Sequence, residues 1–104
     1  MELYTVEFLS GKDYIMLGTV SGSIVKAKNV VSDFGQSTKN IVGGELKAYT
    51  SMMESAREEA TQRMIEQAHK MGADAVIGIR YTTSSIMAQA AEVLVYGTAI
   101  HYKN

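Results

Sequence analysis

Four side chains of this 104-residue sequence have the chemistry to hold a ligand: Arg80, Glu92, Tyr96 and His101. A guanidinium at Arg80, closing an apolar run, can clamp an acidic ligand or pair with Glu92, and Arg57 has the same two options. Tyr96, with Tyr49, Tyr81 and Tyr102, offers aromatic surface on which a planar ligand could stack, although core and interface packing explains tyrosines equally well. His101 and His69 are the two imidazoles. No HxH, HxxH or HExxH spacing joins them, so a strand-end and a helix-surface histidine are the plainer expectation. Heavy metals ask for thiolates, imidazoles or grouped carboxylates. The chain has no cysteine, and no metal-ligand set is assigned.

Two further motifs resolve in favour of structure. Gly43-Gly44-Glu45 stands where free N–H groups at a helix start could hold an anion, but Glu45 already complements the helix dipole and repels one. The spacing fits neither a phosphate loop nor a dinucleotide fingerprint, so a tight turn is expected. Ser21-Gly22-Ser23 lacks the flanks of a nucleophile elbow. No triad or acid pair can be assembled. The expectation is a non-enzymatic protein without catalytic residues or cofactors.

The elements that must position these residues follow from periodicity. Residues 3–9 alternate as a strand does and end in the turn signal Ser10-Gly11-Lys12-Asp13. Tyr14 to Lys28 is rich in Ile, Val and Thr and reads as a longer strand, in which Gly18 and Gly22 predict a bulge, a bend or a close backbone approach. From Asn29 to Gly44 apolar residues recur at roughly helical spacing, predicting a short or broken helix. Glu45 to Met71 carries the strongest pattern: Leu46, Tyr49, Met53, Ala56, Ala60, Met64, Ala68 and Met71 step by three or four residues. Glu59→Arg63 and Glu66→Lys70 have the favourable order across one turn, and Gly72 is placed as the left-handed residue that ends the helix. Residues 73–81 form a β-rich run, 82–91 a polar, Ala-rich connection, and Glu92 to Tyr102 the last strand. The class is α+β.

Composition bounds the partners. Hydrophobic residues make up 46% of the chain and charged residues 20%, which suits one globular domain over residues 1–104 and argues against disorder. A net charge of −1 without a basic stripe disfavours nucleic acid. The apolar stretches are too short for a signal core or a bilayer span, so no membrane association and a cytoplasmic location are expected. The absence of thiols suits a reducing compartment.

Residues 75–81 and 93–100 are apolar on both faces, whereas an antiparallel sheet wetted on one side alternates polar with apolar. One long helix covers only one face. The second face is therefore expected to be buried by the short 29–44 helix or, more readily, by another subunit. The segments Asn40-Ile41-Val42-Gly43-Gly44-Glu45-Leu46-Lys47-Ala48-Tyr49-Thr50 and Gly72-Ala73-Asp74-Ala75-Val76-Ile77-Gly78-Ile79-Arg80 resemble the YbjQ-like family. So do Gly18–Ser23, Ala56-Arg57, Met64 and Ala91–Ala99. The resemblance implies a dodecin-subunit-like β-α-β-β unit, an antiparallel sheet of strand order 1-3-2 on one long helix, and a homopentameric ring. It implies no activity beyond a label of heavy-metal binding. The resulting expectation is a ring-forming protein, its own partner, with a binding or scaffolding role. The alternative is a small-ligand or heavy-metal site between subunits, drawn from Arg80, Glu92, Tyr96 and His101.

Overall fold

A computed structural model describes residues 1–27 and 43–103. The elements are β1 (Glu2–Leu3), β2 (Tyr14–Ala27), α1 (Gly43–Lys70), β3 (Ala75–Met87) and β4 (Ala90–Tyr102). They form a four-stranded sheet in the order β1-β3-β4-β2. The three long strands are antiparallel, with the last strand in the middle. Their order is the 1-3-2 arrangement that was expected, but β1 joins β3 in parallel, so the sheet is mixed. The short helix expected over 29–44 falls almost wholly outside the described residues.

The helix is long because its alanines and methionines propagate well, and it is buried where β2 and β4 underlie it. Ala56, Ala60, Met64 and Ala68 are completely buried, one per turn. Their small side chains bring the two backbones together. A Cβ on Gly22 of β2 would lie 2.1 Å from the Ala60 carbonyl oxygen and 2.6 Å from the Met64 nitrogen. The close approach inferred from a glycine in a strand is therefore real. Val20, Val76, Ile79, Val93, Val95 and Ala99 complete this core. Both ends of the expected apolar stripe are exposed, at Leu46 and Met71, although the Met71 methyl still reaches Gly18 of β2.

The helix ends as its sequence predicts. Gly72 has φ +82°; its N–H bonds the His69 carbonyl, and the Ala73 N–H bonds the Ala68 carbonyl. This pair of bonds is the Schellman closure. It leaves two residues before β3.

Three expectations need correction. Of residues 3–9 only Leu3 lies in a strand, the two-residue β1; the backbone of Tyr4 to Val6 then flanks β3, with Tyr4 N–H bonding the Val76 carbonyl and the Gly78 N–H bonding the Val6 carbonyl. The chain next crosses the face of the sheet opposite α1, where Tyr4, Leu9, Tyr14 and Tyr102 pack on Ala75, Ile77 and Ile100. Part of the second face is thus covered by the chain's own N-terminal segment. Finally, 82–91 is no irregular connection. Strand pairing continues through Thr82↔Leu94, Ser84↔Glu92 and Met87↔Ala90, closed by Ala88 and Gln89 with Gln89 at φ 62°.

A bulge governs the register of β3. Ile77 faces Thr98 and Arg80 faces Tyr96, so one extra residue is accommodated around Gly78 at φ 64°. As a result Val76 and Ile79 both reach the helix-side core, while Ile77 joins the cluster on the other face. Beyond the bulge, every residue from Arg80 to Ala88 is exposed. The upper half of β3 is an uncovered arm.

Candidate functional site

The four candidate residues do not form one site. Arg80 and Tyr96 are cross-strand neighbours on β3 and β4. Glu92 lies four residues from Tyr96 along β4, or about 13 Å at the rise of a strand, opposite Ser84 and Val25. His101 has the other side-chain parity from Glu92 and Tyr96 in β4 and sits at its far end.

Arg80 is largely occupied. Its Nη1 donates to the Thr5 carbonyl at 2.9 Å and to the Ile79 carbonyl at 2.8 Å, and Nη2 lies 3.5 Å from Glu7 Oε2. The pairing with Glu92 raised by the sequence is not made. Both partners of the Glu7 contact are well exposed, so the ion pair contributes little. The backbone bonds matter more, because they brace the N-terminal segment against β3. Tyr96 beside it is 42% exposed.

His101 does acquire a partner. Its Nδ1 lies 2.9 Å from Asp74 Oδ2, and the same oxygen accepts the Tyr102 N–H at 2.7 Å. Asp74 also donates its N–H to the Ile100 carbonyl, so it pins the start of β3 to the end of β4. When Nδ1 carries the proton toward the carboxylate, Nε2 holds the lone pair. Among the described residues no group of three His, Cys, Asp or Glu side chains converges as a metal site.

The principal hollow on the helix side was not legible as a site. A cavity of about 770 Å³ lies between α1 and the arm of β3, lined by Glu54, Arg57, Glu58, Thr61, Gln62 and Tyr81. Thr61 Oγ1 donates to the Arg57 carbonyl at 2.7 Å, so in its 2.6 Å contact with Tyr81 the phenol is the donor. That bond is what fixes the arm to the helix. Its partners are twenty residues apart, and no local pattern announces it. The lining combines two carboxylates, a guanidinium and a phenol. It contains no paired nucleophile and base.

A second polar cluster serves the N-terminus. Tyr102 OH donates to Glu2 Oε1 at 2.6 Å. This bond, assisted by Tyr4, holds the Glu2 carboxyl below the ordinary glutamate range and pushes the Tyr102 phenol well above its usual value. Lys12 Nζ stands 4.5 Å from the centre of the Tyr102 ring. On the other side of the molecule Lys26 and Glu59 are 2.6 Å apart, and this contact lowers the Glu59 carboxyl. The Glu59–Arg63 order on α1 is thus supplemented by a pair to β2, while Arg63 Nη1 donates to the Ser23 carbonyl.

These features define an α+β protein whose polar side chains mostly brace its own chain. They are a helix-to-sheet bond, an N-terminal brace and an arm without a cover. The chain belongs to the YbjQ family, whose model, described as "Putative heavy-metal-binding", matches residues 1–103. It is 56% identical over 100 residues to a UPF0145 protein of Clostridium novyi, covering 96% of this chain and 97% of that one. A UPF0145 protein of Halorubrum lacusprofundi is 49% identical over 104 residues, covering 99% and 100%. In fold the chain is similar to a crystal structure of a DUF74-family protein of unknown function from Pediococcus pentosaceus, with a TM-score of 0.73 at 19% identity over 99% of this chain and 98% of that one. No described helix is long and apolar enough to cross a membrane.

Proposed function

We propose that this chain is a dodecin-like subunit of a homo-oligomeric ring, a pentamer, acting in the cytoplasm as a non-enzymatic binding or scaffolding protein. The observation that carries this reading is the uncovered arm. Tyr81, Ile86 and Met87 are 46%, 48% and 65% exposed on β3, and Leu46 is 57% exposed on the helix. A chain of this size that leaves so many large apolar groups in water gains by covering them with a copy of itself. The cavity between α1 and the arm is then the natural place for a small ligand, since ligand sites favour clefts at such boundaries. Sedimentation velocity and native mass spectrometry at micromolar concentration test the assembly. A monodisperse monomer would remove the reading.

A second reading, heavy-metal binding, is favoured by the His101–Asp74 pair, because a carboxylate that holds one imidazole nitrogen is the usual support for a metal on the other. One imidazole at this strand end is too few ligands, so the remainder would come from neighbouring subunits. Elemental analysis of protein purified without chelators, beside His101→Ala, tests this. Stoichiometric metal lost in the variant supports it, and metal-free wild-type protein that takes up none on titration removes it.

A further inference from the structure

We infer that the N-terminal segment, residues 1–13, is a strap that opens and closes as a unit of its own, guarding the first half of the β3 edge and the apolar cluster beneath it. Of these residues only Tyr4 and Leu9 are even half-buried. Those two side chains, with Tyr14 and Tyr102 of the sheet, nevertheless cover Ala75, Ile77 and Ile100, which are 0%, 3% and 0% exposed. The cluster lies on the face of the sheet opposite α1, and the bonds that hold the strap do not involve the helix. Segments with few buried apolar contacts and exposed backbone bonds open below the free energy of global unfolding.

The fastenings make this opening a joint event and not a gradual fraying. Near the N-terminus the Tyr102 phenol donates to Glu2 Oε1 at 2.6 Å, a short bond to a carboxylate and so one of the stronger kind. In the middle the Tyr4 N–H bonds the Val76 carbonyl, and the Gly78 and Ile79 N–H groups bond the Val6 and Tyr4 carbonyls. Arg80 adds its bond to the Thr5 carbonyl. At the other end the Lys103 N–H bonds the Asp13 carbonyl at 2.9 Å, and this bond stays when the rest let go, because Asp13 adjoins β2. Between the two ends lies Gly11, at φ +81° with nothing within 4 Å of its Cβ position, so the turn pivots without a clash. Swung away, the strap takes Tyr4 and Leu9 off the cluster and frees the Val76 carbonyl and the Gly78 and Ile79 N–H groups. Those are the groups of a strand edge, which a covering segment keeps from pairing with other chains. The core of Val20, Ala56, Ala60, Met64 and Val95 lies on the helix side and keeps its packing.

Native-state hydrogen exchange, resolved amide by amide, tests this. The amides of Tyr4, Gly78 and Ile79 report the strap, and the slowest amides of β4 report global unfolding. In wild-type protein the strap amides should be protected about tenfold less, or weaker still, than the β4 set. Low urea should accelerate them less steeply, since strap opening exposes less surface than unfolding. Glu2→Ala removes the terminal fastening and should speed all of the strap amides together, by about threefold or more. Met64→Ala loosens the helix-side core alone; it should speed the β4 set by about thirtyfold or more and leave the strap amides at wild-type rates. The inference is overturned if the strap amides share the protection and urea slope of the β4 set in wild-type protein, a result that depends on neither variant folding. It is overturned equally if Met64→Ala speeds both sets by one factor, or if Glu2→Ala speeds Tyr4 alone, which is fraying.

Discussion

Replacing Gly22 by alanine tests whether the helix is set by backbone contact. The new methyl would sit 2.1 Å from the Ala60 oxygen and 2.6 Å from the Met64 nitrogen, and 3.0 Å from Arg63 Cβ. Ordinary contact needs about 3.4 Å or more, so α1 must retreat by about 1 Å or tilt. Neither obstructing backbone atom can rotate away. Retreat loosens Val20, Ala56, Ala60 and Met64, all now buried. Overpacking of this kind costs about 1–3 kcal/mol; with a rigid backbone on both sides the upper end applies. Alanine also stiffens the unfolded chain, which returns about 0.4–1 kcal/mol. The net expectation is a loss of about 2 kcal/mol, or roughly 8–16 °C in Tm for a domain of this length. Urea unfolding at matched protein concentration, followed by circular dichroism, measures it. Gly11→Ala is the control: nothing stands within 4 Å of its Cβ, and only its φ of +81° opposes the change. A Gly22→Ala protein within 0.5 kcal/mol of wild type, on the ordinary scale of surface substitutions, would refute the contact as the determinant of helix position.

Met64→Ala empties the centre of the core, where the side chain is fully buried, and should cost about 2–5 kcal/mol in the same unfolding assay. Gly72→Ala keeps open space around the new methyl but forces alanine to φ +82°; a loss of about 1 kcal/mol is expected, with the transition otherwise unchanged in slope. Tyr102→Phe removes the donor that lowers the Glu2 carboxyl. A depressed carboxyl adds stability above its unfolded value and loses it as pH falls through the folded one. Wild type should therefore exceed the variant at pH 7, with that part of the advantage fading as pH drops from about 4.5 into the acid range; a difference that stays constant down to pH 2 would contradict the assignment.

The sequence was most legible where periodicity and steric need coincide. The step of three to four residues through Ala56, Ala60, Met64 and Ala68 identified the buried face of α1 and Gly72 its end, and of the two strand glycines read as a bulge, a bend or a close approach, Gly22 is a close approach to the helix. The arm was misread for the same kind of reason. Thr82 to Ser85 are polar because both faces of that half of β3 meet water, so alternation is absent, and Ala88-Gln89 is not a hairpin signal. The second face of the sheet was correctly judged apolar, but its partial cover by Tyr4, Leu9 and Tyr14 depends on a chain path that periodicity does not encode. The candidate residues fared according to range. His101 meets Asp74, and Arg80 meets Thr5 and Glu7, through separations that no local pattern reveals.

The bulge at Gly78 makes the numbering of β3 a matter of phase. With it, Ile79 and Tyr81 both address α1 while Arg80 reaches the N-terminal segment. Losing the extra residue would only close the bulge, with Ile77 still opposite Thr98 and Arg80 opposite Tyr96. Losing one from the regular stretch between Arg80 and Ser85 would instead turn every later side chain of the strand to the other face. Length variation among descendants of this gene should then be tolerated at the tip, around Ala88 and Gln89, and purged from the regular ladder between Arg80 and Ser85. Reading frames within a protein, like those in a message, are lost by one unit.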